Sequence, residues 1–137
     1  MHEVMRRLAD RGDTVSLFTS SFPHAPPREI IEGVEHIRYG GRFSIYPLAP
    51  VCYWRRIRGR YDAIVESING VPFFTPLYAS EPVVPFIHQL TRENWYSALP
   101  APVAFIGAHA EDSLLSFYRG RPAMVPSLST KSDLEAL

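Results

Sequence analysis

Apolar and polar positions along this chain switch between two periods. In HEVMRRLADRG, Val4, Met5, Leu8 and Ala9 recur at helical spacing, Arg6, Arg7, Asp10 and Arg11 face away, and Gly12 supplies a stop, so a helix opens the chain. TVSLFTS, from Thr14 to Ser20, is apolar and β-branched throughout, the mark of a strand buried on both faces of a parallel sheet. A polar, proline-rich loop (Ser21 to Arg28) precedes a short strand from Val34 to Tyr39, which Gly40 and Gly41 end. Phe43 to Arg60 predicts a helix broken or delayed by Pro47 and Pro50. Tyr61 to Ser67 is the clearest buried strand, and Asn69-Gly70 turns into an apolar segment that reads as a short helix from Val71-Pro72. Pro82 to Gln89 is the next strand and Pro102 to Tyr118 a helix. Pro122 to Ser127 is a short strand, and Ser129 to Leu137 opens a helix behind a capping signal.

Strands alternating with helices define the α/β class: a Rossmann-like parallel sheet with flanking helices and right-handed crossovers. Such sheets take ligands beyond the carboxyl ends of their strands. Here that places interest on the loops Ser20 to Arg28, Ser67 to Gly70, His88 to Trp95 and Ser127 to Thr130. At 137 residues the expectation is one domain, residues 1–137. Hydrophobic residues at 46% and charged residues at 20% exclude disorder and coiled coil. A formal charge of zero removes the long-range field of a dedicated nucleic-acid binder, so no nucleic-acid partner is expected. The lone Cys52 offers neither an internal disulfide nor a thiolate cluster, which suits a reducing, cytoplasmic setting. No apolar run approaches the roughly 18 residues of a membrane span, and charged residues at the start argue against a signal peptide.

HEVMRRLADRGDTVSLFTSSFP resembles the first helix and second strand of GT-B fold, family 4 (retaining) glycosyltransferases, with Leu8, Ala9, Arg11, Gly12 and Val15 on the pattern and Asp13 where the family usually has histidine. EGVEHIRYGGRFSIY, YDAIVESINGVPFFTPLY, VVPFIHQLTRENW and VPSLSTKSDLEAL are similar in order and spacing to later parts of the same N-terminal domain. The resemblance implies half of a GT-B fold truncated at both ends, with the first strand and its glycine-rich turn absent, and with the nucleotide-binding second domain absent too. It implies sugar transfer from a nucleotide-sugar donor to an acceptor. This half would contribute acceptor binding, require no metal or other cofactor, and be inactive alone. Since the family's first strand is central, its absence exposes two apolar edges, which recruit backbone. Either Thr14 to Ser20 pairs directly with Tyr61 to Ser67, or a second chain, a like copy or a partner, fills the gap. The rival to a transferase half is a non-catalytic accessory or interaction module that pairs with another chain.

Under the resemblance, His88 at the end of its strand is the candidate catalytic residue, a neutral imidazole meeting a hydroxyl of the donor sugar. From the residues alone it is equally a capping or core histidine. Glu66, Asn69 and Gly70 follow the Tyr61 strand, where a carboxylate and an amide order sugar hydroxyls, although Asn69-Gly70 is also ordinary turn chemistry. Arg92 joins this substrate-binding set. Ser127 and Ser129 form a helix cap of the kind that also binds phosphate. Arg55, Arg56, Arg58 and Arg60 interleave with Tyr53, Trp54 and Tyr61 as a solvated helix face, as a contact for anionic lipid at a membrane surface, or as a contact for nucleic acid, which the zero overall charge disfavours. Glu111 and Asp112 are adjacent on a helix and so cannot share a substrate. The dispersed histidines, with no H-E-x-x-H and no C-x-x-C, give no metal site.

Overall fold

The computed structural model describes residues 1–90, 95 and 101–136. It is a mixed α/β structure with small sheets of parallel strands and flanking helices, and it divides into two compact units, Met1–Tyr61 and Asp62–Leu137. Each unit has its own sheet.

The first unit opens with α1 (His2–Asp10). It ends as the sequence predicts: Gly12 takes a φ of +94°, its N–H reaches Ala9 O at 2.9 Å, and the Asp13 N–H reaches Leu8 O at 3.1 Å. This is the paired closure that favours glycine just past a helix end. β1 (Ser16–Thr19) then pairs in parallel with β3 (Val34–Arg38), Ser16 beside Glu35 and Thr19 beside Arg38. Between them lies β2 (Arg28–Ile31), antiparallel to β3, giving the order β1-β3-β2. The sequence predicts a loop from Ser21 to Arg28 and no strand between it and Val34. Its hairpin turn is Glu32-Gly33, with φ of +49° and +78°, a two-residue primed turn whose first position is glutamate in place of the usual asparagine.

Phe43 to Arg60 contains α2 (Ile45–Cys52), running straight into a wider π turn (Tyr53–Ile57) that closes when the Arg58 N–H bonds Tyr53 O at 2.9 Å. Pro47, in the first turn, and Pro50 both lie within the helix, which they neither delay nor break; Ile45, Ala49 and Cys52 form its buried stripe. The Ser44 hydroxyl accepts from the Gly41 N–H at 2.8 Å and fixes the entry.

The second unit is built on β4 (Ile64–Ile68) and β5 (Val83–Ile87), parallel and in register from Ile64 beside Val83 to Ile68 beside Ile87. Ile68, Ile87, Leu115 and Tyr118 make the core, with Leu90, Val125 and Leu134 against it. Leu115 closes α3 (Ala101–Leu115), and Tyr118 lies in the short 3₁₀ turn that follows. On α3, Gly107 lies under Trp95 so closely that an added Cβ would stand 2.7 Å from the indole. The last helix, α4 (Leu128–Glu135), is capped as expected, the Ser127 hydroxyl accepting from the Thr130 N–H at 3.2 Å.

Three expectations change. The direct pairing of Thr14 to Ser20 with Tyr61 to Ser67 is not made: β1 belongs to the first sheet and β4 to the second. The short helix from Val71-Pro72 is a loop with a 3₁₀ turn at Thr75–Leu77, because Glu66 takes the Phe73 and Thr75 N–H groups for itself and Phe74 adopts a φ of +56°. The strand from Pro122 to Ser127 contracts to a single bridge, Met124 beside Phe86. Pro85 O accepts from the Met124 N–H at 2.9 Å, so position 85 faces that side. A proline there has no N–H to return, and Pro122 and Pro126 withhold two more donors.

Candidate functional site

In β4 and β5 successive side chains point to opposite faces. Glu66 and Ile68 turn with Pro85 and Ile87 toward the core, whereas Val65, Ser67, Val84, Phe86 and His88 share the outer, partly exposed face. The strand ladder runs past its last formal pair, the His88 N–H donating to Ile68 O at 3.1 Å. That bond sets His88 directly at the carboxyl end of the ribbon.

There the Ser67 hydroxyl and His88 Nε2 are 2.9 Å apart, and the Phe86 ring backs the imidazole edge-on with centroids 4.5 Å apart. Depending on the ring tautomer the hydroxyl donates to a bare nitrogen or accepts from an N–H, so one donor and one acceptor face outward. The cap of α4 arrives at the same end. Thr130 Oγ1 donates to His88 O at 3.5 Å, and Ser127 Oγ lies 2.9 Å from both Ser129 Oγ and Thr130 Oγ1. His88, Ser127, Ser129 and Thr130 are thus gathered with Ser67, whose hydroxyl the sequence does not single out. Asn69 is exposed one residue beyond the ladder, and Gly70 takes the turn with a φ of +98°. Arg92 lies outside the described residues.

Glu66 is placed differently from a cleft ligand. It is 4% exposed, and its carboxylate is fully used: Oε1 accepts from the Phe73 N–H at 2.5 Å and the Tyr118 hydroxyl at 2.7 Å, and Oε2 from the Thr75 N–H at 3.1 Å. The Tyr118 oxygen in turn accepts from the Phe74 N–H at 3.1 Å. Burial first, and then the facing Glu66 charge and hydrogen bond, push the Tyr118 hydroxyl far above its ordinary range. The tyrosine stays protonated and donates to the carboxylate. The cluster anchors the loop after β4 and holds the carboxylate on the buried side of the strand.

A second charged cluster belongs to the first unit. Glu35, on β3, accepts from Ser16 at 2.9 Å, from Tyr61 at 3.3 Å and from Arg28, with Arg60 at 3.9 Å. Burial raises its carboxyl, but hydrogen bonds from Arg28, Ser16 and Tyr61 and the Arg28 charge outweigh that, and the net shift is downward. Arg38, beside it on the strand, is 6% exposed and holds Glu29 and Pro26 O, the latter at 3.0 Å. These partners tie the sheet to its own loop.

Among the described residues no group of three or more His, Cys, Asp or Glu is placed to hold a metal ion. An open hollow of about 240 Å³ lies on the core side of the second unit, lined by Ile87, Asp112, Leu115, Tyr118 and Arg121 among others. Among the described residues none of His88, Glu66, Asn69, Gly70, Ser127 and Ser129 lines it, and Ile87, Leu115, Tyr118 and Leu134 in its wall belong to the hydrophobic core. Among the described residues no helix is long and apolar enough to cross a membrane. No protein-family model, no curated protein and no solved structure matches this chain.

Proposed function

We propose that this chain is the acceptor-side part of a sugar transferase, a module that holds a hydroxylated acceptor at the carboxyl ends of β4 and β5. The observation that carries the reading is the Ser67–His88 contact at 2.9 Å on the outer face, with the Ser127, Ser129 and Thr130 hydroxyls at the same end. Imidazole and hydroxyl groups each offer one donor and one acceptor at neutral pH, the pairing a sugar or polyol hydroxyl needs. The Phe86 ring behind His88 gives an apolar wall for the face of a pyranose. In this role His88 orients an acceptor hydroxyl and takes up its proton as the acceptor oxygen bonds the donor's anomeric carbon and the bond from that carbon to the donor's phosphate breaks, the nucleotide leaving with the bonding electrons. Donor contacts come from the second domain that the sequence resemblance implies.

Titration calorimetry with glycans, polyols, glycolipid headgroups and nucleotide sugars tests the reading. Saturable acceptor binding that His88→Ala and Ser67→Ala each weaken supports it. Tight nucleotide-sugar binding that survives both substitutions contradicts it.

The edge of β4 away from β5, which has no strand partner among the described residues, supports a second reading, an accessory module that pairs with another chain. Two-stranded parallel sheets are rarely left uncovered, and exposed strand edges recruit backbone. Sedimentation equilibrium separates the two. A monomer at every concentration, with acceptor binding intact, removes the pairing reading.

A further inference from the structure

The helix that follows β3 turns the wrong face outward for a soluble surface. Its inner stripe is Ile45, Ala49 and Cys52, with Tyr53 buried behind it. On the outer side, Phe43, Pro47, Val51 and Trp54 follow one another at helical spacing, with Phe43 72% and Trp54 54% exposed. Such a line of large apolar groups is a docking surface rather than scattered exposure.

Charge identifies what it meets. Between Glu35 and Asp62 the sequence holds no acidic residue, although the whole chain is neutral. Of the arginines in that stretch, Arg38 is held by Glu29 and Arg60 lies near Glu35. Arg42, Arg55, Arg56 and Arg58 are exposed and have no carboxylate partner among the described residues. Two of them lie on the exposed rings themselves: the Arg58 guanidinium is 4.0 Å from the Trp54 ring centroid and that of Arg42 is 5.4 Å from that of Phe43. The π turn at Tyr53–Ile57 brings Trp54 and Arg58 into this stack.

We propose that this face, from Phe43 to Arg58, lies on an anionic lipid bilayer. Trp54 and Phe43 would enter at headgroup depth, and the arginines would bind lipid phosphates through their forked donors. The element is about 20 Å long at 1.5 Å per residue and carries arginines at its end, so it lies in the interface without spanning it. Nucleic acid fits less well. A base-stacking groove needs cations along a backbone track, whereas here aliphatic Val51 and Pro47 occupy the middle of the stripe. This inference is independent of the sugar-transfer reading, since it uses no residue of the His88 site.

The test is co-sedimentation of the full chain with phosphatidylcholine vesicles, with and without phosphatidylglycerol, beside quenching of tryptophan by bromine-labelled lipid. Binding is expected only with phosphatidylglycerol, falling as salt rises, with quenching abolished in Trp54→Phe. Each exposed arginine is worth about fivefold in partitioning, so Arg55→Gln/Arg58→Gln should bind about 25-fold more weakly while Arg11→Gln, at the C-cap of α1, binds as the parent. Both arginines are exposed, and unchanged circular dichroism shows that the double variant is folded. Absence of binding, equal binding to neutral vesicles, or an Arg55→Gln/Arg58→Gln variant that binds like the parent overturns the proposal. So does tighter binding of single-stranded nucleic acid than of anionic vesicles.

Discussion

Replacing Glu66 should unfold the second unit more readily than any surface change. In Glu66→Ala the N–H groups of Phe73 and Thr75 and the Tyr118 hydroxyl all lose their acceptor in a site that is 4% exposed. Hydrogen bonds to a charged group contribute about 1.5–3 kcal/mol each, and buried donors left without a partner cost about 1–3 kcal/mol each. These effects overlap and the loop can relax toward water, so the expected loss is about 3–5 kcal/mol, a large fraction of a small domain's stability. Glu66→Gln is milder. Its amide oxygen at the Oε1 position keeps Phe73 and Tyr118, while its NH₂ group faces the Thr75 N–H, for a loss of about 1–3 kcal/mol. The chain has only two tryptophans, so in a Trp54→Phe background buried Trp95 reports the second unit alone. With a urea m-value of about 2 kcal/mol/M, the unfolding midpoint should fall by about 2 M for alanine and by about 1 M for glutamine. Midpoints within about 0.3 M of the parent for both variants would show that the carboxylate is not the anchor of the loop. A glutamine variant less stable than alanine would refute the assignment of donors.

Raising the pH should weaken the same unit. The Tyr118 hydroxyl is held above its ordinary value in the fold, so its stabilisation is complete below a pH of about 10 and is lost as the unfolded chain begins to ionise. Near-ultraviolet circular dichroism should show stability declining by about 1.4 kcal/mol per unit above that point, and Tyr118→Phe should remove the decline; an unchanged slope rejects it. At the acid end Glu35 behaves oppositely. Its carboxyl is lowered in the fold, so stability is present above the unfolded value of about 4.3 and is lost as pH falls below it. In a Trp95→Phe background, Trp54 fluorescence should report that loss in the first unit, and Glu35→Gln should flatten it. Gly107→Ala should destabilise despite alanine's better helix propensity, because its Cβ meets the Trp95 ring at 2.7 Å; a urea midpoint at or above the parent's would show that the indole moves aside at little cost.

Much of this architecture was legible because it follows from local period and punctuation. β1, β3 and β5 fall inside the predicted strands and β4 runs one residue past its own, to Ile68; α1 closes at Gly12 and α4 starts behind Ser127, all readable within a few residues. What was not legible depended on distant partners. β2 looks like loop because REII is short and follows two prolines, and only pairing with β3 makes it a strand. The loop after β4 reads as helix until Glu66, several residues back, claims its amides. The site divides in the same way. His88, Ser127 and Ser129 were legible from their position after a strand or before a helix. Ser67 was not, because it becomes a partner of His88 only through the β4–β5 register. Glu66 was read as facing a ligand because a carboxylate beside a turn is polar by composition; strand alternation sends it inward and Ser67 outward.

The central claim is that the outer face at the ends of β4 and β5 binds a hydroxylated ligand through His88. It is tested most directly by following the His88 ring in two-dimensional ¹H–¹⁵N spectra while sugar and polyol acceptors are added. The account predicts saturable shifts at the His88 ring and the Ser67 and Thr130 amides for at least one acceptor, lost in Ser67→Ala. Spectra that stay unchanged across the acceptor series, or shifts confined to residues remote from His88, would contradict it.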